Sequence, residues 1–310
     1  MGREDEALKA YQRAVALDPL GWLSVDHLVG QLAFMGRHEE AAAAADRFAR
    51  ISTDPHGVGR VQAKLALEQG RLADYLRLSE AGARRWPAER NLAGELAGAW
   101  SLLGENARAA RNLPEGSVGR LSLSGDLEGL AREARRMGPA FWQEEPGYWS
   151  FAESLVLGGH GDLLLQLYDA EYASVQEFNT RTPSKAMAAG PSLITAMSQA
   201  GRQREAQALA DLLLLRLDAD VRSGMDPAHA AYDRATLLAV TGHPDAALEQ
   251  LAFAVRKNWV NLAWIPARRL EDRLTLRSLR GDPRLARVQA ELDAQIDRQR
   301  ALLGLPPLRT

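Results

Sequence analysis

The chain has 310 residues, with 38 Lys+Arg against 40 Asp+Glu, 46% hydrophobic residues, 6% aromatic residues and no cysteine. A chain of this length buries a sizeable core without disulfides or metals, and the missing cysteines exclude thiol catalysis, iron–sulfur clusters and cysteine zinc sites. A net charge of −2 argues against non-specific nucleic-acid binding, which draws on a large positive excess.

At the N-terminus, MGREDEALKAYQRA is charged and amphipathic, without the apolar core of a signal peptide. The richest apolar run, 212–215, is bounded by Asp211 and Arg216, whereas a membrane-spanning helix needs about 20 apolar residues. The expectation is a cytoplasmic protein with no membrane span.

Gly2, Gly36, Gly70 and Gly104 recur every 34 residues. Each precedes a stretch with helical periodicity: EDEALKAYQRAVAL, HEEAAAAADRFARI, LADYLRLSEAGARR and NARAARN. The last three glycines also follow one, in WLSVDHLVGQLAFM, VGRVQAKLALEQ and RNLAGELAGAWSLL. One period is therefore helix, glycine turn, helix. Small residues keep register five positions after the glycine (Ala7, Ala41, Ala109, with Tyr75 as the exception), and Pro19 and Pro87 end two of the second helices. Ala63 and Ala97 stand seven positions before a glycine, where Val29 breaks the rule. Met1 and Gly2 fall in mid-repeat, so the first repeat is incomplete; the expectation is that the chain is the C-terminal part of a longer protein or that its start was assigned late.

From 112 to 146 the register is lost, leaving LPEGSVG, one helical stretch (DLEGLAREARRM) and PAFWQEEPGYW. This segment is expected to be a degenerate repeat or a bend. A second block follows over 147–260, where Gly161, Gly201 and Gly242 are 40 and 41 residues apart and Ala206, Ala235, Ala247 and Ala254 keep register. Over 261–310 the pattern changes to a capping segment. Asp282-Pro283 is a strong helix start, and Leu285, Val288, Leu292 and Ile296 form an apolar stripe that should close the end of the stack.

The 34-residue period and the run Gly2–Ala7–Tyr11–Ala14–Pro19 resemble the second helix of tetratricopeptide repeats. The ending, with Trp259, Trp264, Leu279 and the run Asp282-Pro283-Arg284-Leu285, resembles the last stretch of tetratricopeptide regions in bacterial nucleotide cyclases, winged-helix regulators and protein kinases. The resemblance implies an all-α fold: a right-handed α-solenoid of stacked helical hairpins in two blocks, 1–111 and 147–260, with a C-terminal capping helix. It also implies a concave face lined by the first helix of each hairpin. In that register the inward positions fall on Asp26 and His27, Arg60 and Lys64, Asn91 and Glu95, Tyr148 and Phe151, and His229, Tyr232, Asp233 and Thr236. With Asp26 and Gly30 at two of the positions that grip a chaperone's terminal carboxylate in this family, such a clamp is not expected.

Catalytic chemistry is hard to place in this chain. The six histidines form no HExxH, HxH or His/carboxylate set with metal-ligand spacing, so no metal and no cofactor is expected. LGGHGDLLL lacks the G-x4-G-K-[ST] pattern of a phosphate loop and reads as a helix–helix turn. The segment 256–300 carries 11 basic and 6 acidic residues, a bias read as a solvated helix face.

The expectation is a non-catalytic protein–protein interaction scaffold that binds a partner segment in the concave groove, as the sensory or docking region of a bacterial signalling protein. A second reading is a small-molecule sensor with a pocket between the blocks near Trp142, Trp149 and Phe151. A third is the regulatory fragment of a larger enzyme, a cyclase or kinase. The partner's identity and the oligomeric state are not written in the residues.

Overall fold

A computed structural model describes residues 4–143, 151–258, 266 and 268–308. Among them there is helix and no strand, and no helix is long and apolar enough to cross a membrane.

The first six helices alternate in the expected manner. They are α1 (Glu4–Leu17), α2 (Trp22–Phe34), α3 (His38–Ile51), α4 (Pro55–Glu68), α5 (Leu72–Arg85) and α6 (Arg90–Leu102). Each helix hides one stripe. In α3, Ala41, Ala45 and Phe48 recur at three- and four-residue steps and are at most 2% exposed, while Glu39 and Glu40 face water. The chain packs α2 on both α3 and α4, and α4 in turn on α5.

The turn glycines have their physical reason. Gly36, Gly70, Gly104, Gly201 and Gly242 all have φ between +67° and +82°, which side chains with a Cβ resist. At the first turn of the second block the left-handed residue is Gly159 (φ +82°), while Gly161 is the first residue of the next helix. The spacing signal there was displaced by two residues from the turn it marks.

The segment after α7 (Asn106–Arg111) is helical in two pieces, α8 (Val118–Ser124) and α9 (Leu127–Met137), joined at Gly125. Val118 and Gly119, at the end of LPEGSVG, thus begin a helix. Ser117 precedes that helix, Gly125 (φ +75°) ends it, and Asp126 caps the next by accepting from the Gly129 N–H at 2.8 Å.

Beyond residue 151 come α10 (Ala152–Leu157), α11 (Gly161–Glu171), a short extra helix α12 (Val175–Arg181), and the long pair α13 (Pro183–Gln199) and α14 (Gln203–Arg222). The pair α15 (Pro227–Val240) and α16 (Pro244–Arg256) follows. The added α12 and the 20-residue α14 account for the longer period of this part.

Two short 3-10 turns, Leu270–Asp272 and Leu274–Leu279, lead into α17 (Pro283–Ala301). Asp282 caps it by accepting from the Arg284 N–H at 2.7 Å, and the expected stripe Leu285, Val288, Leu292 and Ile296 is at most 4% exposed. This helix does more than close one end. It packs on α16 and also on α5, where Gln299 accepts from the Ala73 N–H across 226 residues of chain.

The early and late parts of the chain therefore share a core. One continuous cluster joins Ala66, Leu72, Leu76 and Leu103 to Leu251, Val255, Leu292 and Ile296. A second contact ties the start of α15 to the end of α2, where the Asp226 N–H donates to the Phe34 carbonyl at 3.0 Å. The glycine turns of the first helices face these late segments. A Cβ on Gly36 would stand 2.7 Å from the Asp226 carboxylate, and one on Gly104 would stand 2.6 Å from Leu308.

Candidate functional site

The wall that positions the candidate residues is made by α2, α4, α6 and α15. Lys64, on α4, lies across Gly30 of α2, where an added Cβ would meet the lysine Cε at 2.9 Å. The absence of a side chain at residue 30 is thus what lets the lysine stem lie flat. Its ammonium pairs with Glu68 at 2.7 Å, one turn along the same helix. One turn back, Arg60 Nη2 pairs with Glu95 of α6 at 2.5 Å, and the guanidinium lies 4.9 Å over the Trp22 ring of α2. Three successive first helices are thereby linked by charged side chains on one face.

α15 adds His229, whose ring meets Phe34 of α2 edge-on at 5.1 Å. His229 stays exposed at its surface although Glu68, Asp226 and Lys64 lie near enough to act on it electrostatically.

The electrostatics follow from enclosure. Asp26 is held above the usual carboxylate range by desolvation, against the opposing pull of Lys64 and Arg60. Desolvation likewise raises Glu95, and Arg60 only partly offsets it. His229 is lowered by desolvation. Asp233 is pushed up to about 7 by burial alone, and its carboxylate makes no hydrogen bond or ion pair.

Other inward positions lie elsewhere. Phe151 is 9% exposed and belongs to the hydrophobic core of the second block, so it does not face an open trough. Thr236 is 4% exposed, and its hydroxyl turns back to the Asp233 carbonyl at 2.8 Å. Both corrections have one cause. Where α15 packs on the turn 274–279 and α10 packs on α13, helices from later in the chain cover the face that a regular stack would leave open. Tyr232 is half-buried beside Arg273, whose guanidinium carbon is 5.9 Å from the ring, and burial raises its phenol. Asn91 is exposed on α6. Tyr148 lies outside the described residues.

The sensor reading placed a pocket beside Trp142. That ring is fully buried and meets Phe141, Tyr172 and Phe178 edge-on at 5.1–5.7 Å, so it is a centre of core packing. Phe151 belongs to the same core, and Trp149 lies outside the described residues.

Sequence reasoning missed several members of the wall. Glu68 was signalled by its i, i+4 spacing from Lys64, whereas nothing in the inward register pointed to Trp22. Nothing in the chain signalled the buried pair Arg273 and Glu153, 120 residues apart, with side chains 5% and 8% exposed. Glu153 accepts from both Arg273 Nε (3.0 Å) and Nη2 (2.8 Å), and from the Leu274 N–H (3.0 Å). It locks α10 to the segment that follows α16.

Chemically, this wall can pair with charged and hydrogen-bonding groups along its length. No protein-family model and no curated protein matches the chain.

Proposed function

We propose that this chain is a non-catalytic protein–protein interaction scaffold, a tetratricopeptide-type right-handed solenoid that binds an extended or helical partner segment along the wall formed by α2, α4, α6 and α15. The observation that carries the reading is the bridging of successive first helices by Lys64, Arg60 and Glu95, with His229 near Lys64 and Glu68. Side chains at matching positions of consecutive hairpins form a ladder, and a ladder suits a linear ligand because each rung adds a weak contact. Its mixed charge favours orientation and register over bulk affinity. The likeness of Asp282–Leu285 and its surroundings to the ends of signalling tetratricopeptide regions supports a docking or sensory role in a bacterial signalling protein.

The test is selection of binding segments from a displayed peptide library, followed by affinity measurements on Arg60→Ala and Lys64→Ala proteins whose helix content is unchanged. Each substitution is expected to weaken selected segments about five- to tenfold, the effect of losing an interaction worth about 1 kcal/mol or slightly more. Segments that bind both variants as tightly as the parent protein would remove the wall from the interaction.

A further inference from the structure

A pocket of about 270 Å³ opens between α4, α5 and α6. Arg60 and Glu95, two members of the wall, line it. Its volume lies just under the range of about 300–1,000 Å³ usual for small-molecule sites, so it has room for one ring-bearing group and none for a helix.

The pocket exists because its floor lacks side chains. Gly59, Ala63 and Gly82 line it, and a Cβ built on Gly59 meets nothing within 4 Å. Its sides are aromatic and aliphatic. The rings of His56 and Trp86 stand 4.8 Å apart at 79°, with Leu78 and Leu92 completing the enclosure. An incoming ring would meet both faces and edges there, the geometry that aromatic groups favour.

The polar groups of the same lining are incompletely paired. His56 Nε2, Arg60 Nε and Ser79 Oγ are buried and have no hydrogen-bond partner. Ser79 is 2% exposed, and although Tyr75 lies near enough for its phenol to feel the hydroxyl, the two make no well-formed bond. Arg60 is held on one side by Glu95 and on the other by Trp22, so its Nε–H is a fixed donor left over. Buried polar groups without partners are rare in folded proteins, and these three, just beneath the surface of one pocket on residues that line it, mark a place where a partner belongs.

The chemistry of the missing group can be narrowed. A phenylalanine ring would fill the volume and leave all three polar atoms unpaired. An indole N–H only donates, and Arg60 Nε is itself a donor. A lysine or arginine would meet Arg60 and Arg85. A carboxylate would have to share Arg60 with Glu95, whose own negative charge lines the pocket, and would find its other cation, Arg85, lying over the Trp86 ring. A phenol hydroxyl both accepts and donates.

We propose that this pocket holds the side chain of a tyrosine from the partner segment, its ring against His56 and Trp86. Its hydroxyl accepts from Arg60 Nε–H and donates to His56 Nε2 or Ser79 after small side-chain rotations. This rests on the trough reading given above and adds the anchor residue to it.

Saturation-transfer NMR titrations with N-acetyl-L-tyrosinamide, N-acetyl-L-phenylalaninamide and a blocked tyrosine-containing peptide test it. The tyrosine amide is expected to bind at least about fivefold more tightly than the phenylalanine amide, the effect of one hydrogen bond. The peptide should bind at least as well as the amide. Gly59→Leu, which fills the floor without a clash and suits a helix interior, should abolish binding while thermal stability is kept. Ser79→Ala should lower the tyrosine preference and leave the phenylalanine amide unchanged, which gives a readout even if the larger substitution perturbs folding. Equal affinity for the two amides overturns the proposal, as does tyrosine binding that survives Gly59→Leu. Binding of the amide but not of the peptide overturns the assignment to a partner's side chain. A library-selected segment weakened by Arg60→Ala but not by Gly59→Leu would keep the trough and remove the pocket.

Discussion

Asp233 shows how one side chain can report on its enclosure. Burial with no compensating cation raises its carboxyl to about 7, far above its value in an unfolded chain, about 3.9. The folded state therefore favours the protonated form, and the stability this contributes is fully present below pH 4 and lost as pH rises through about 7. Asp26 and Glu95, also raised, act in the same direction, whereas His229, lowered by burial, costs stability as pH falls below the ordinary histidine range. Asp233→Asn removes one contribution and leaves the others. Thermal melts from pH 4.5 to pH 8 should show the variant gaining on the parent protein as pH rises to about 7, with the gain levelling off above that. A constant offset across that range would place the carboxylate in contact with solvent. The resemblance singled out Asp233, while its isolation from every cation was not legible, because that depends on which distant helices stand opposite.

At the scale of elements, the glycine turns were the clearest signal in the chain, and the structure gives some of them a second task. Gly242 needs its positive φ and nothing more, since an added Cβ there meets no atom within 4 Å. Gly36 needs both the positive φ and the empty space, because the Asp226 carboxylate that caps α15 through the Ala228 N–H stands where a Cβ would go. Gly242→Ala is expected to cost about 1–2 kcal/mol, the left-handed penalty. Gly36→Ala should cost that and the disturbed cap besides, about 2–3 kcal/mol in all. Urea denaturation of the two variants compares them directly, and equal losses would mean that the α2–α3 turn and α15 yield without strain. Helix periodicity and the 34-residue spacing disclosed the hairpins. They did not disclose α8, whose seven residues are too few to show a period, or the two-residue offset of Gly159.

On the scale of the molecule, Glu153 and Arg273 are the sharpest example of a link between distant parts of the chain. Both are charged, both are nearly inaccessible, and Glu153 also takes the Leu274 N–H. Glu153→Ala leaves a buried guanidinium and a buried amide without partners, so a loss of about 3–5 kcal/mol is expected by chemical denaturation. Replacing both residues by leucine should recover most of that loss, because a buried ion pair contributes little beyond an apolar pair of similar volume. A single variant as stable as the parent would show that water reaches the pair. Arg300 makes a comparable link, 3% exposed and donating to the Leu103 carbonyl, to Glu105 (2.9 Å) and to the Pro306 carbonyl (2.7 Å). Through it the end of α17 is fastened to the turn between α6 and α7.

The residues alone determined the helical character, the hairpin turns, and the capped start and apolar stripe of α17. These are local properties, set by periodicity, φ preference and capping within a dozen residues of one another. Only the tertiary structure decided that α17 lies on α5 as well as α16, that Phe151 and Thr236 are core, and that Glu153 meets Arg273. Such contacts join stretches 120 to 226 residues apart in the chain, and no single stretch of sequence encodes which of them meet.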